Sequence, residues 1–180
     1  LYPNKPSLTV TGFIFNKFVH PYEARFVTGR EAARLQDFPD DMEIMGSLTS
    51  TQRQIGNAVP VLLAKAIFQS IIDFAAEIKY QQRNLNAFSL FSGAGGLDLG
   101  AEMAYNKEYR ITTSLAIDNW DDACDTLRNY MGGKTNVIQE DVNQVEFPLE
   151  YWLKNANETE APDIVYGGPP CQAFSQAGKQ

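Results

Sequence analysis

The sequence predicts an α/β fold built on a doubly wound, mostly parallel sheet. Short apolar runs alternate with helical segments over residues 84–166, as in chains whose parallel strands are joined by crossover helices. The first run, residues 85–91, leads into a glycine-rich turn and a helix, a typical opening of a nucleotide-binding sheet. Polar side chains follow the later runs, at the strand ends where open parallel sheets place their ligands.

The composition is ordinary for one globular domain, since 44% of the 180 residues are hydrophobic. Two cysteines, Cys124 and Cys171, and the single His20 are too few for a tetrahedral zinc site, so we expect no metal. No run approaches the roughly 18 apolar residues of a membrane span, and no leader opens the chain. We therefore expect a cytoplasmic protein without membrane association.

The charge balance argues against an extended nucleic-acid surface within this chain. The formal net charge is −7, whereas phosphate-tracking proteins gain most of their affinity from lysine and arginine. A nucleic-acid enzyme is compatible with this charge only if other sequence supplies the basic groove. The chain begins at Leu1 and stops at Gln180 within a loop, and both ends look cut.

Three helices are predicted in the first 80 residues. Thr28 and Glu31 have the spacing of a capping box, which begins a short helix that ends before Pro39. A second short helix is capped at residues 48–50, and a third begins at Pro60 and extends to about residue 80. Four polar residues form a stripe along this third helix, so we expect the apolar face to be mostly buried against the sheet. That face comprises Leu63, Ile67, Ile71, Phe74 and Ile78.

The glycine turn and the second strand suggest nucleoside recognition. Residues 92–100 are rich in glycine, but Asp98 occupies the position of the third glycine in a dinucleotide fingerprint, which counts against NAD. Asp118 follows the second strand, some twenty residues after the glycine turn, the separation at which a carboxylate can bind ribose hydroxyls. A third strand precedes Asp141. Cys124 lies in the middle of a helix that opens at Asn119, and we expect a packed thiol.

The fourth strand delivers a second thiol to a stiff turn. Residues 164–166 are apolar and are followed by two glycines and two prolines directly before Cys171. The prolines restrict the backbone and remove two amide donors, so Cys171 lies in an extended turn rather than a helix. A rigid turn suits a nucleophile, whereas a lone cysteine in this setting is more often a buried structural thiol.

These segments together resemble the DNA (cytosine-5) methyltransferases. The resemblance covers Gly-Gly-Pro-Pro-Cys-Gln-Ala-Phe-Ser at residues 167–175, Phe-Ser-Gly-Ala-Gly-Gly-Leu at residues 91–97, and the family's ninth and tenth sequence blocks at residues 25–39 and 56–60. It implies a Rossmann-like fold that binds S-adenosyl-L-methionine and a covalent adduct between Cys171 and cytosine. Gln172 and Ser175 would contact the DNA. The implied cofactor-binding residues are Phe91, Ser92, Gly93, Ala94, Gly95, Gly96, Asp118, Asn119, Asp141, Val142, Pro170, Asn57, Ala58 and Val59.

The blocks stand in an unusual order, because the ninth and tenth normally end a family member and here precede the first. We expect three regions: a C-terminal-type segment at residues 1–58, a helix and linker at 59–83, and a cofactor-binding and catalytic half-domain at 84–180, which leaves the fold incomplete. Circular permutation would explain this order, and so would a junction between two enzymes. The target-recognition region for double-stranded DNA is absent, so the chain alone should bind cofactor weakly or not at all and should not methylate DNA.

Alternatives from other classes remain open at this point. An RNA-directed relative acting on tRNA would use the same loop and chemistry. A non-catalytic half of a split methyltransferase would need a second polypeptide that carries the missing blocks. A generic NAD-dependent oxidoreductase is disfavoured by Asp98 and by the setting of Cys171.

Overall fold

A four-stranded parallel sheet with the strand order β3-β2-β1-β4 forms the centre of the molecule. The computed structural model describes residues 1–10 and 18–169. The strands are β1 (Asn84–Leu90), β2 (Arg110–Asp118), β3 (Asn136–Gln139) and β4 (Ile164–Gly167). The helices are α1 (Gly29–Leu35), α2 (Leu48–Asn57), α3 (Val61–Glu77), α4 (Gly96–Glu102), α5 (Asp121–Met131) and α6 (Pro148–Asn155), and a short 3-10 helix spans Val142–Gln144.

The register brings the carboxyl ends of the strands to one edge of the sheet. Leu90, the last residue of β1, pairs with Ile117 of β2 and with Gly167 of β4. Ile138 of β3 pairs with the same Ile117. Every segment that leaves a strand therefore starts at this edge, and the predicted α/β architecture with a parallel sheet is confirmed.

Helices cover both faces of the sheet. On one face Phe68 and Ile72 of α3 pack with Leu85 and Ala87 of β1 in a shared apolar cluster. On the other face the buried Trp152 of α6 packs in a cluster formed by the side chains Phe88, Leu115 and Ile117. The sheet is thus the middle of three layers, as the doubly wound prediction requires.

The first 58 residues pack onto the rest of the chain through α5. Met42 and Ile55 share an apolar cluster with Cys124 and Leu127 of α5. Thr126 of α5 lies in the same contact, because its hydroxyl donates to Oε1 of Gln54 at 2.7 Å and accepts from the backbone N–H of Met45 at 2.9 Å. This contact places the end of α2 near the carboxyl end of β2.

The predicted capping box is present, while the bounds of other elements differ from the expectation. Thr28 accepts from the backbone of Glu31, and the Glu31 side chain accepts in return from the backbone of Thr28. The second helix is capped by Ser47 rather than by residues 48–50, since the Ser47 hydroxyl accepts from the backbone N–H of Ser50. The helix then continues to Asn57, three residues before the expected start of the third helix at Pro60.

Two other bounds are corrected. β1 ends at Leu90, so Phe91 belongs to the following turn. α5 begins at Asp121 with Trp120 as its N-cap residue, two positions after the expected start at Asn119.

The predicted buried face of α3 is wrong. Four of its five members are about half exposed: Leu63, Ile67, Phe74 and Ile78. The row that packs against the sheet and α4 is Val61, Ala64, Phe68, Ile72 and Ala75. Apolar side chains surround most of this helix, so the helical periodicity alone did not select the face. The small side chain of Ala64 lets α4 approach α3 closely at Gly100, and this contact selects the buried face of α3.

The stretch Leu48–Glu77 is long and apolar enough to meet the length and composition criteria for a membrane span, which the sequence analysis did not anticipate. It consists of two helices, α2 and α3, separated at residues 58–60. One row of α3 packs against the sheet, while other apolar side chains of this helix, among them Ile67 and Phe74, are about half exposed.

Candidate cofactor site

The turn between β1 and α4 has an unusual backbone conformation. Phe91, Gly93 and Gly95 have φ angles of 55°, 55° and 87°. These values lie in the left-handed region, which residues other than glycine rarely adopt. Both the N–H and the hydroxyl of Ser92 donate to the carbonyl of Ile117, at 3.1 and 3.0 Å, which ties the turn to β2. A Cβ atom built on Gly93 would meet no atom within 4 Å. The backbone at Gly93 is therefore open to a ligand.

Asp118 lies at the carboxyl end of β2 and faces this turn. Its Oδ2 accepts from the backbone N–H of Gly93 at 2.8 Å, and its Oδ1 accepts from the backbone N–H of Trp120 at 2.9 Å. Each carboxylate oxygen has a further lone pair, so Asp118 can still accept from a ligand hydroxyl. Asn119, which follows it, is exposed. The structure thus brings together the glycine turn and the acidic residue that the sequence singled out.

The segment Asn57-Ala58-Val59 packs directly against the glycine turn. A Cβ atom built on Gly96 would lie 2.3 Å from the carbonyl oxygen of Val59 and 3.4 Å from the Cβ of Ala58, so only glycine fits at this contact. The side-chain amide of the buried Gln36 donates to the carbonyl of Ala58 at 2.9 Å and fixes the segment from behind. Two stretches some 35 residues apart in the sequence therefore meet at one place in one chain.

Arg53 and Trp120 form a contact that sequence reasoning missed. The guanidinium carbon of Arg53 lies 4.7 Å from the centre of the Trp120 ring, in cation–π geometry. Arg53 belongs to α2 and Trp120 caps α5, so the contact links these two helices two residues after Asp118. No local pattern signals a pair separated by 67 residues.

Asp141 and Val142 lie at the carboxyl end of β3. Oδ1 of Asp141 accepts from the backbone N–H of Asn143 and from its side-chain amide, both at 2.9 Å, so this carboxylate caps the short 3-10 helix. Val142 packs against the cluster around Trp152, on the face covered by α6. The structure gives both residues local packing or capping contacts, and their expected contacts with adenine stay a prediction.

The nucleophile turn lies outside the described residues, and with it the predicted sites Pro170, Cys171, Gln172 and Ser175. The strand that leads to it is described, and β4 pairs with β1 so that Gly167 lies opposite Leu90. Leu90 directly precedes the glycine turn. The glycine turn therefore begins next to the end of β4, the strand that precedes Cys171 in the sequence.

Cys124 is the buried cysteine of the described residues, as predicted. Its Sγ donates to the carbonyl of Asp118 at 3.4 Å, beneath the carboxyl end of β2. Burial raises the pKa of the Cys124 thiol to about 11, so the thiol is protonated at neutral pH. A buried, protonated thiol packs as a small apolar group and is a poor nucleophile.

The sequence is similar to one protein family and to several curated proteins. The sequence model of the C-5 cytosine-specific DNA methylase family matches residues 1–73 and 85–180. Type II methyltransferase M.AquIB of a Picosynechococcus strain is 45% identical over 80 residues, which cover 38% of this chain and 58% of that protein. M.AquIA of the same strain is 40% identical over 92 residues, covering 51% of this chain and 34% of the relative.

A relative from another genus shows the same pattern. Type II methyltransferase M.BbvI of Brevibacillus brevis is 44% identical over 87 residues, which cover 47% of this chain and 23% of the relative. In each of the three comparisons the aligned region spans less than two thirds of the curated relative. The similarity therefore concerns parts of longer proteins.

Proposed function

Because the chain belongs to the C-5 cytosine-specific DNA methylase family, we propose that it carries the cofactor site and the nucleophile turn of a DNA (cytosine-5) methyltransferase. The observation that supports this most strongly is the contact of Val59 with Gly96, next to the Asp118 carboxylate. The tenth-block segment and the first-block turn thereby form one site, despite their reversed order along the chain.

Family membership implies S-adenosylmethionine as the cofactor, and the described residues fit it. The open backbone at Gly93 allows close approach of a ligand, and Asp118 retains acceptor capacity for ribose hydroxyls. Ala58 and Val59 border the same turn at Gly96, and Asn57 directly precedes them. When bound, the cofactor supplies a methyl group on a positively charged sulfur. The predicted adenine contacts of Asn119, Asp141 and Val142 and the predicted contact of Pro170 belong to this proposal.

The chemistry we propose for the chain's own residues centres on Cys171. Carbon C5 of cytosine is a weak nucleophile until a thiolate adds to C6, so Cys171 forms a C6–S bond and shifts electron density to C5. After C5 has accepted a methyl group, a base removes the C5 proton, the electron pair of that C–H bond re-forms the C5–C6 double bond, and Cys171 leaves as a thiolate with the electrons of the C6–S bond. The cytosine must leave the duplex stack to reach the thiol, with Gln172 and Ser175 beside it.

The proposed partner is double-stranded DNA, bound mainly through a target-recognition region outside this chain. The net charge of −7 supports this division, since the chain itself offers few excess cations to phosphates. The proposal includes a role in a restriction-modification system, a cytoplasmic location, no metal and no membrane association, and the possibility of a second polypeptide. Alone, the 180 residues bind cofactor weakly or not at all and transfer no methyl group to duplex DNA.

The test is to express the gene region that encodes this chain, with its natural flanking sequence, in a host without cytosine methylation. Mass spectrometry then measures 5-methylcytosine in the host DNA. We expect methylation with the natural sequence, none with Cys171→Ser, and retained methylation with the control Cys124→Ser, which removes a thiol that we assign to packing. Methylation that survives Cys171→Ser would contradict the covalent mechanism.

The same experiment separates the alternatives. 5-Methylcytidine in tRNA without 5-methylcytosine in DNA would identify an RNA-directed relative. Methylation that appears only when a second gene is added would identify one half of a split enzyme. Methyl incorporation by the purified 180-residue chain alone would contradict the proposed division between this chain and a separate recognition region.

A further inference from the structure

A fully buried carboxyl group lies beneath the glycine turn. Asp98 in the first turn of α4 is 0% exposed, and among the described residues its Oδ2 has no hydrogen-bond partner. The salt bridges found within residues 1–10 and 18–169 do not include Asp98. Burying a carboxyl group without full hydrogen bonding is costly, so its presence needs a physical reason.

The other carboxyl oxygen of Asp98 is bound by the strand that leads to the nucleophile turn. The hydroxyl of Tyr166 in β4 donates to Oδ1 of Asp98 at 3.1 Å. The same hydroxyl lies 2.7 Å from Oγ1 of Thr113 in β2, and the ring of Phe68 in α3 packs edge-on against the Tyr166 ring at 4.9 Å. Contacts from three elements thus fix the position of the Tyr166 hydroxyl.

The hydrogen bond between Asp98 and Tyr166 connects two segments that the proposed reaction needs close together. Asp98 follows Gly96 of the glycine turn by two residues, and Tyr166 precedes Cys171 by five. We propose that Asp98 and Tyr166 are a positioning pair that holds the cofactor turn and the strand before the nucleophile in one fixed arrangement. Its catalytic importance rests on the proposed function, whereas the positioning itself does not.

The charge state of Asp98 offers a readout that a purely steric role would not affect. Burial raises the pKa of Asp98 to about 6, against the lowering effect of the neighbouring Ser89 and Tyr166 hydroxyls, and the charge of Glu102 raises it further. The titratable groups that face Asp98 are Tyr166 from β4 and Glu102 from α4, while α3 contributes the apolar Phe68 near the tyrosine. Ionisation above this pH costs the folded chain free energy because the charged carboxyl lies away from water, so protection of the elements around Asp98 should fall as the pH rises through about 6.

The test uses three variants of the 180-residue chain and needs neither cofactor nor DNA. Tyr166→Phe removes only the hydroxyl, and Asp98→Asn keeps an acceptor but abolishes ionisation. The control is Tyr109→Phe, since Tyr109 is also a tyrosine of the sheet region and its buried side chain donates through the hydroxyl to the Tyr80 carbonyl at 2.9 Å. Hydrogen exchange read by mass spectrometry follows the segments 92–97 and 164–168 between pH 5 and 8, and the rate of Cys171 alkylation by iodoacetamide is measured in parallel.

We expect Tyr166→Phe to accelerate exchange in both segments by about threefold to tenfold, the size expected for one lost hydrogen bond. The rate of Cys171 alkylation should change in the same variant. Tyr109→Phe should leave both segments unchanged. After correction for intrinsic exchange, the natural chain should show a step in protection near pH 6 that Asp98→Asn lacks.

Equal protection in Tyr166→Phe and Tyr109→Phe would overturn the proposal, and so would a pH profile that Asp98→Asn does not alter. If Tyr166→Phe does not fold, the pH profile of Asp98→Asn decides. Failure of the proposed function would appear separately, as a lack of methylated cytosine from the encoding gene region with these exchange results intact.

Discussion

At the scale of single residues, Asp118 combines a structural with a proposed binding role. It accepts from Gly93 in the glycine turn and from Trp120 at the start of α5, so it fixes the two loops between which a nucleoside would lie. Its side chain reaches both amides, and each carboxylate oxygen retains capacity for one more donor.

The buried Asp98 predicts an unusual pH dependence of stability. Its pKa is raised from 3.8 to about 6, so the folded chain holds this proton more tightly than the unfolded chain. The stabilisation by the proton is fully present below the unfolded value and is lost as the pH rises through about 6. Asp98→Asn should therefore be more stable than the natural chain at pH 7.5, by on the order of 1–3 kcal/mol, with little difference at pH 4.

Urea unfolding at the two pH values measures this difference. Asp125→Asn is the matched control, since Asp125 is exposed and pairs with Arg128 at the surface, where ion pairs contribute little. A stability difference between Asp98→Asn and the natural chain that is the same at both pH values would contradict the assignment.

Sequence reasoning succeeded at the residue scale where local rules apply. The capping box of Thr28 and Glu31 and the position of Asp118 follow from spacing alone. The Arg53–Trp120 contact and the Asp98–Tyr166 hydrogen bond join residues 67 and 68 positions apart, so only the fold reveals them.

At the scale of elements, α3 shows how a strongly apolar helix defeats periodicity. The sequence predicted a buried face around Ile67, but the buried row lies one position further along the helix, at Phe68 and Ile72. The close approach of α4 at Ala64 selects this row, because a bulkier residue at either side of the contact would separate the helices. The helix itself and its start near Pro60 were predictable from sequence.

Two isoleucines of α3 provide a matched test of this assignment. Ile72 is fully buried and Ile67 is 50% exposed, in the same helix and with the same side chain. Ile72→Ala should cost about 2–4 kcal/mol of unfolding free energy through lost contacts and a cavity. Ile67→Ala should cost about 0.5 kcal/mol or less. Urea unfolding measures the two variants. A greater loss of unfolding free energy in Ile67→Ala than in Ile72→Ala would support the buried face predicted from the sequence.

At the scale of the whole molecule, the order of the sequence blocks is separate from their arrangement in space. Segments of the ninth and tenth blocks precede the first, yet Val59 reaches Gly96, and Gln36 supports the neighbouring Ala58. A junction between two enzymes would assign Asn57 and Cys171 to different active sites. Val59 packs on the turn within one chain, and on this contact we propose a single site, as a permuted enzyme would have.

The central claim is that the two segments form one S-adenosylmethionine site, and an NMR titration of the ¹⁵N-labelled chain tests it most directly. We predict weak, saturable shifts of the amides of Ala58, Gly93 and Asp118 with one common dissociation constant. Asp118→Asn should weaken binding about tenfold or more, the loss expected for a hydrogen bond to a charged group, while Asp125→Asn should leave it unchanged. Shifts at Gly93 and Asp118 without any at Ala58 would contradict a single site built from both segments.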